Sequence, residues 1–287
     1  MELFFQQTIN GIMLGSTYVL VALGVTMIYG IMRLPSFAHG HFYMLGAYIT
    51  FFLITLYNFS YWPALILSMV VLFFIGGLVE RIVFRPLREQ SQISNFIAAI
   101  GILLFIEHMV TVIWGPHSHR IPNPYPEHIY LFGASVSQQR LIVILAAVVL
   151  IALLQLFIKK TVIGFTMEAT AQDREGAALV GINVNRVSSL TFSIACALAA
   201  AAASLVAPIF VIVPGMGSLL VMKAMVIFIL GGLGSIPGAI IGGYILGLIE
   251  ALGGGYISSE YKDVFAFGAL ILILAIKPTG IFGKGAA

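Results

Sequence analysis

The chain has 287 residues, of which 60% are hydrophobic and 9% are charged, and its mean hydropathy is +1.07. This composition excludes an ordinary soluble domain, and the sequence lacks the short alternating strands of a transmembrane barrel. The net charge of +3 says little about nucleic acid, and a single cysteine excludes a disulfide framework or a cysteine-based metal site. The chain is therefore predicted to be an all-α polytopic membrane protein.

Apolar runs long enough to cross a bilayer follow one another along the chain. The first six lie at residues 4–31, 36–57, 62–84, 93–114, 140–158 and 187–213. Gly11 and Gly15 in the first run have the four-residue spacing that lets two helices pack closely. Between the fourth and fifth runs, residues 115–139 contain several prolines and are predicted to form an irregular loop.

A seventh apolar stretch, residues 219–250, is interrupted by the sequence GGLGSIPG at 231–238. Glycine and proline at this density break a helix, and the freed backbone groups then need partners in protein or water. We predict two shorter segments that meet at the interruption, either as two full spans or as a re-entrant pair. With a last span at 263–276, the chain is predicted to form one transmembrane domain over 1–287 with about eight membrane helices.

The longest polar interruption on the basic side of the chain lies at residues 159–186. Its segment 166–180 favours one short helix, which Gly181 ends. This helix has no wide apolar stripe, so it has too little apolar surface to bury itself against the protein. Two interpretations remain open, a solvated loop helix and a helix that another protein covers.

Basic residues of membrane proteins concentrate on the cytoplasmic side. With the N-terminus outside, most basic residues of this chain fall inside. The inside residues are Arg33, Arg81, Arg85, Arg88, Lys159, Lys160, Arg174, Arg186, Lys277 and Lys284, and the outside ones are Arg120, Arg140, Lys223 and Lys262. The pattern predicts a cytoplasmic C-terminus and a cytoplasmic 159–186 loop.

The sequence carries no motif of an enzyme. Residues 280–285 lack the spacing of a P-loop, and Pro237 stands where a dinucleotide-binding loop needs its third glycine. His39 and His41 are two residues apart and point to different sides of a helix, which argues against a metal pair. We predict a non-catalytic protein with no metal, no cofactor and no nucleic-acid partner.

Several short motifs occur together in a specific order and spacing. They are GSTY at 15–18, FAHG at 37–40, GIN at 181–183, GGLGSIPG at 231–238, EYKD at 260–263 and KPTG at 277–280. With them the chain resembles, nearly end to end, the permeases of branched-chain amino acid ABC importers, the Liv-type permease family. The resemblance implies a complex in the bacterial inner membrane. Besides this permease it contains a second homologous permease, two cytoplasmic ABC ATPases and an extracytoplasmic substrate-binding protein.

The resemblance also indicates where ATP-driven motion enters the permease. The coupling helix of the family matches residues 164–183, which coincides with the polar interruption. The candidate ATPase-coupling residues are Met167, Glu168, Gln172, Asp173, Arg174, Ala177, Gly181 and Asn183. Contact with the ATPases is expected to bias two discrete arrangements of the membrane helices.

A candidate translocation path combines the start of the second span with the break in the seventh stretch. Its residues are Ser36, Phe37, His39, His41, Gly232 and Gly234. Broken helices offer free N–H and C=O groups to a polar solute. His39 could instead form a buried hydrogen bond between helices, and this alternative stays open.

The solute is open as well, because close relatives of Liv-type permeases serve urea, short amides and aromatic acids. An autonomous channel or secondary carrier would need no ATPase. The predicted spans carry no acidic or histidine pair in their middle, and Glu107 with His108 lies near the interfacial end of its span, which argues against proton coupling. A purely structural scaffold would leave the polar cytoplasmic helix without a purpose.

Overall fold

The computed structural model describes residues 1–34, 36–88, 90–131, 134–277 and 279–282. Within these ranges the helices are α1 (Glu2–Met32), α2 (His39–Thr55), α3 (Tyr61–Val79), α4 (Gln92–Trp114), α5 (Gln138–Lys160), α6 (Val162–Gln172), α7 (Arg174–Leu179), α8 (Val184–Val206), α9 (Met216–Gly231), α10 (Ile236–Tyr256) and α11 (Lys262–Ile276). A π-helical segment, Glu80–Phe84, continues α3. Two short strands, β1 (His128–Leu131) and β2 (Ala134–Ser137), complete the elements.

The predicted all-α membrane fold is confirmed. Among the described residues, 6 helices are long and apolar enough to cross a membrane: α1, α3 with its π-helical extension, α4, α5, α8 and α10. The apolar helices α2, α9 and α11 are shorter, with 17, 16 and 15 residues. The count of about eight membrane helices therefore stays a prediction.

Helices α1 and α8 form the centre of the bundle. Their most apolar windows are 89% and 78% buried, whereas those of α3, α4 and α5 are only 22–28% buried. Large apolar side chains such as Phe74, Phe105 and Leu145 are exposed on these outer helices. A helix that is apolar all round and exposed on one side is suited to contact lipid.

Close packing joins α1 to α10, as the spacing of Gly11 and Gly15 predicts. A Cβ atom at Gly11 would lie 2.9 Å from the Leu248 Cα atom, and one at Gly15 would lie 2.9 Å from the Tyr244 Cα atom. On the facing helix, a Cβ at Gly247 would lie 2.6 Å from the Gly15 Cα atom. The backbones thus approach as closely as small residues allow.

The predicted break in the seventh apolar stretch is confirmed. Helix α9 ends at Gly231, and Gly232 and Gly234 have φ values of 98° and 79°, which an L side chain rarely adopts. The Ser235 hydroxyl then accepts a 3.1 Å hydrogen bond from the Gly238 N–H and caps α10.

The sixth predicted span, 187–213, is too long at its C-terminal end. Helix α8 ends at Val206, and Ala207 is its C-cap residue. Pro208 follows, and a proline disfavours helical geometry in the residue before it. Turns and an isolated β-bridge between Ile212 and His119 occupy residues 207–215 before α9 begins.

The single coupling helix predicted at 166–180 is wrong, because the segment forms the two helices α6 and α7. Asp173 breaks it, with φ −144° and ψ 108°. Its carboxylate accepts hydrogen bonds from the N–H groups of Glu175 (3.1 Å) and Gly176 (3.0 Å). Aspartate favours an N-cap over a helix interior, so the chain restarts the helix here.

The irregular loop predicted at 115–139 is also wrong in part. Strands β1 and β2 pair antiparallel, with Ile129 opposite Val136. The prolines of the loop, at 116, 122, 124 and 126, precede β1 and therefore do not interrupt its hydrogen bonding.

One residue in the orientation count is misplaced. Lys223 was assigned to the outside, but it lies within α9 and is only 2% exposed. Lys284 lies outside the described residues. The positive-inside rule counts loop residues near the ends of membrane helices, so a buried lysine does not inform it. The orientation stays a prediction.

Candidate functional site

A cavity of about 570 Å³ opens between the N-terminal half of α1, the C-terminal end of α10 and the 206–220 segment. Its walls are mainly apolar and include Met13, Leu14, Phe210 and Leu220. Volumes of roughly 300–1,000 Å³ with a few polar groups are typical of small-molecule sites. The cavity is therefore a candidate solute site.

Lys223 forms the centre of an ionic cluster at this cavity. Its Nζ atom lies 2.7 Å from Glu250 Oε1 and 2.8 Å from Asp263 Oδ1, and it donates a 3.2 Å hydrogen bond to the Tyr18 hydroxyl oxygen. Tyr18 in turn donates a 2.8 Å hydrogen bond to Glu250 Oε2. The lysine and Glu250 are 2% and 3% exposed. Four helices, α1, α9, α10 and α11, each contribute one member.

Sequence reasoning missed this cluster, although two signals pointed to it. Lys223 and Glu250 stand inside apolar helices, where an ionisable side chain usually marks a functional site. The motifs GSTY and EYKD, far apart in the chain, meet here, because Tyr18 belongs to one and Asp263 to the other. Glu250 and Asp263 lie toward the ends of α10 and α11, so the expectation that no acidic pair lies in the middle of a span stays a prediction.

Arg140 lines another part of the same cavity from the start of α5. One of its guanidinium nitrogens donates a hydrogen bond to the Asn10 side-chain oxygen on α1. A guanidinium has five N–H donors, so further donors are left for another acceptor. The cavity thus carries groups of both charge signs.

The predicted path residues at the start of α2 lie deep in the bundle. His39 is 0% exposed and packs against Gly24, where a Cβ atom would lie 2.7 Å from the imidazole Cε1 atom. Gly24 lies eight residues, or about 12 Å, before the end of α1 at Met32. Helix α2 therefore begins within the bundle, about two turns of α1 away from the level at which α1 ends.

Helix α9 also begins within the bundle, beside the start of α2. A Cβ atom at Gly40 would lie 2.9 Å from the Gly217 carbonyl carbon and nearer still to its oxygen. The helices α2 and α9 thus meet at their first turns, whereas the predicted path sets the start of α2 opposite the 231–238 break at the other end of α9.

Two histidines in this region have different surroundings, as their spacing predicts. The His41 Nε2 atom lies 2.9 Å from Glu107 Oε2 on α4, so Glu107 pairs with a buried histidine rather than with His108. Neither ring nitrogen of His39 has a hydrogen-bond partner among the described residues. The alternative of a buried hydrogen bond between helices is therefore not observed for His39.

The structure does not gather all of the predicted path residues in one place. Ser36 is 1% exposed, and the Phe37 ring contacts Phe96 edge-on, with centroids 5.5 Å apart. Gly232 packs against Gly280 rather than against the start of α2. A Cβ atom added at Gly280 would lie 2.8 Å from the Gly232 nitrogen. Gly234 is exposed beside Gly30.

The predicted ATPase-coupling residues divide into an exposed and a buried group. The exposed ones are Glu168, Gln172, Asp173, Gly181 and Asn183, Arg174 is half-buried, and Met167 and Ala177 are 3% and 5% exposed. The last two pack inward and hold the segment on the bundle. The sequence analysis missed Leu179 and Val180, which are 88% and 79% exposed.

Gly181 and Asn183 shape the exit from this segment. Gly181 has φ 88°, and the Ile182 N–H donates a 3.0 Å hydrogen bond to the Ala177 carbonyl, as in a glycine-terminated helix. The Asn183 side chain accepts a 3.1 Å hydrogen bond from the Arg186 N–H and caps α8. The predicted stop at Gly181 is confirmed.

A second cavity, of about 590 Å³, lies at the same end of the bundle as Asn183. Arg81, Arg85 and Arg186 line it. Nearby, Glu80 is fully buried and pairs with Arg88 and with the Ser189 hydroxyl. Burial lowers the pKa of the Arg88 guanidinium, and Glu80 partly offsets this effect. This face of the protein is strongly basic.

Comparison with solved structures agrees with the fold. A chain of PsaBC from Streptococcus pneumoniae, in complex with Fab, superimposes with a TM-score of 0.51 at 14% identity. The match covers 95% of this chain and 92% of that chain. At this identity it supports the fold alone.

Sequence comparison identifies the family. The profile described as "Branched-chain amino acid transport system / permease component" matches residues 7–274. The high-affinity branched-chain amino acid transport system permease protein LivH of Escherichia coli K12 is 38% identical over 98% of this chain and 96% of its own length. The corresponding protein BraD of Pseudomonas aeruginosa is 40% identical over the same shares. The chain belongs to the family of permease components of branched-chain amino acid transport systems.

Proposed function

We propose that this chain is a permease subunit of an ABC importer for branched-chain amino acids in the bacterial inner membrane. The observation that carries the proposal is the identity of 38–40% to LivH and BraD over 98% of the chain. The subunit itself is non-catalytic. It works with a second homologous permease, two cytoplasmic ATPases and an extracytoplasmic binding protein, and its N-terminus is outside.

The ATPases dock on residues 164–183, that is, on α6 and α7. Two features of this surface support the proposal. Leu179 and Val180 expose apolar side chains on the same segment as the exposed polar Glu168 and Gln172, a combination typical of a protein interface. The neighbouring basic cavity at Arg81, Arg85 and Arg186 would attract an acidic partner.

Replacement of Asp173 tests how far coupling depends on the geometry of this surface. Asp173→Ala removes the cap of α7, which costs about 1 kcal/mol, and we expect reduced leucine uptake and reduced stimulation of the ATPases by binding protein. Asp173→Asn caps equally well and should retain both. If the two variants lose coupling equally, the carboxylate charge rather than the cap is required.

Translocation follows the interrupted starts of α2 and α9, including Ser36, Phe37, His39 and His41, with the Gly232–Gly234 turn at the far end of α9. His39→Ala is expected to reduce uptake while the subunit still assembles with its ATPases, which affinity purification of the complex would measure. Loss of assembly would show that the ring only fills space against Gly24.

The solute class is tested by competition in cells that depend on the complete transporter. Uptake of labelled leucine should be inhibited by isoleucine and valine. Urea, short amides and aromatic acids should leave it unchanged. If one of these three competitors inhibits leucine uptake and isoleucine does not, that competitor rather than a branched-chain amino acid is the solute.

A secondary carrier is a second candidate function, because the structure contains paired ionisable groups within the helix bundle. Lys223, Glu250 and Asp263 form one such group, and His41 with Glu107 forms another. Such groups carry protons in some transporters. Uptake that stops when the proton gradient is collapsed, but continues when ATP is depleted, would favour the carrier.

A further inference from the structure

We propose that the cavity at Lys223 is a binding site for the charged α-amino and α-carboxyl groups of an amino acid. Glu250 receives the ammonium group and Arg140 receives the carboxylate. The inference rests on the proposed function, since it places the solute of the importer in this cavity. It goes beyond the predicted path, which does not include these residues.

The ionic cluster has one more negative than positive charge. Lys223 bears the single positive charge. It donates hydrogen bonds to Glu250 and to the Tyr18 oxygen, and its Nζ atom lies 2.8 Å from Asp263 Oδ1, so these three groups surround the ammonium head. Glu250 and Asp263 bear two negative charges. The Asp263 side chain is 34% exposed, whereas that of Glu250 is only 3% exposed. A buried carboxylate is stabilised by cationic partners, so an incoming ammonium group at Glu250 would complement the excess negative charge.

Glu250 is the member of the cluster that is placed to bind this ammonium group. Its side chain lines the cavity and is 3% exposed, so a contact made there is shielded from water. Each of its oxygens accepts one hydrogen bond, from Lys223 and from Tyr18. An ionised carboxylate has about four acceptor positions, so free positions remain.

Arg140 provides the opposite charge on the same cavity. Its guanidinium is held by Asn10 and retains N–H donors that can bind a carboxylate in a bidentate geometry. A ligand that carries both an ammonium and a carboxylate group can pair with Glu250 and with Arg140 at once. A neutral amide or a simple anion forms an ion pair with at most one of these two residues. The cavity therefore favours a zwitterion over urea, amides and aromatic acids.

The remaining walls suit an aliphatic side chain. Met13, Leu14, Val206 and Leu220 also line the cavity. Burial of apolar surface gives roughly 25 cal/mol per Å², so a branched hydrocarbon side chain adds affinity here. The cavity lies at the end of the bundle that the positive-inside rule assigns to the outside, where a binding protein would release its solute.

Thiol protection tests this site directly. Cys196, the single cysteine, is fully buried, so Leu14→Cys introduces one reactive thiol into the cavity of the full-length chain. In right-side-out membrane vesicles without binding protein, millimolar leucine should slow alkylation of this thiol about threefold or more. Two analogues, 3-methylbutylamine without the carboxylate and 4-methylpentanoate without the ammonium group, should protect much less.

Two substitutions in the same background identify the charged partners. Glu250→Gln should abolish protection by leucine, whereas Glu127→Gln, the same change in an exposed loop, should retain it. Arg140→Gln should also abolish it, with exposed Arg120→Gln as its control. If a variant fails to fold, the protection of the Leu14→Cys thiol by leucine and by its two analogues still shows whether the cavity requires both charged groups.

The outcomes separate this site from the proposed function. Equal protection by leucine and by both analogues, or unchanged protection in Glu250→Gln, would overturn the site and leave the cluster a purely structural role. ATP-dependent leucine uptake without protection would overturn the site and keep the importer. Protection without ATP-dependent uptake would keep the site and contradict the importer.

Discussion

Lys223→Met is expected to destabilise the protein by about 3–5 kcal/mol, the typical effect of removing one partner from a buried ion pair. The substitution leaves Glu250 facing Asp263 across α10 and α11 with no positive charge between them. Methionine keeps the length and most of the volume of the lysine stem, so the loss reflects charge rather than a void. Thermal unfolding of the purified chain in detergent, followed by size-exclusion chromatography, measures the effect.

Two further variants show whether the charge is responsible. Lys262→Met removes an exposed lysine from the rim of the same cavity and should change stability by less than about 0.5 kcal/mol. Lys223→Met combined with Glu250→Gln removes one of the two unpaired charges and should recover part of the loss. If Lys223→Met is as stable as Lys262→Met, the cluster is not a buried ionic network.

Gly40→Ala is expected to prevent stable folding or to cost about 3 kcal/mol, the upper part of the range for overpacking. The added methyl group would meet the Gly217 backbone and lie 2.7 Å from the Val221 Cβ atom, and a backbone cannot rotate away as a side chain can. Because α2 and α9 meet at this contact of two glycines in their first turns, we expect uptake to be lost as well.

Gly101→Ala is the matched control for this prediction. A Cβ atom at Gly101, in the middle of α4, has no heavy atom within 4 Å among the described residues. Alanine there should raise stability by up to about 1 kcal/mol, because it has the higher helix propensity. Equal folded yields of Gly40→Ala and Gly101→Ala would contradict the close contact between α2 and α9.

The membrane helices were largely predictable from the sequence, because the length of an apolar run is set by the thickness of the bilayer. The predicted span 93–114 became α4 (Gln92–Trp114), and the glycine-rich break fell between α9 and α10 as expected. The errors occurred where one residue decides a boundary. Asp173 divides the coupling segment by capping α7, and Pro208 shortens α8.

The candidate site was much less predictable than the helices. Lys223 has no sequence neighbour that explains it, since Tyr18 and Glu250 are 205 and 27 residues away along the chain. Hydropathy and periodicity describe one helix at a time, whereas this cluster exists only after four helices pack together. The count of basic residues therefore treated Lys223 as an outside charge.

Transport by the reconstituted chain, alone and in its complex, tests the central claim most directly. Liposomes that contain this chain, a second permease, the two ATPases and binding protein should accumulate leucine when ATP is supplied to the side of α6 and α7. The same chain alone should give no leucine flux, because the ATPase subunits that drive transport are missing. Robust leucine flux through the lone chain, or uptake by the complex without ATP, would contradict the account.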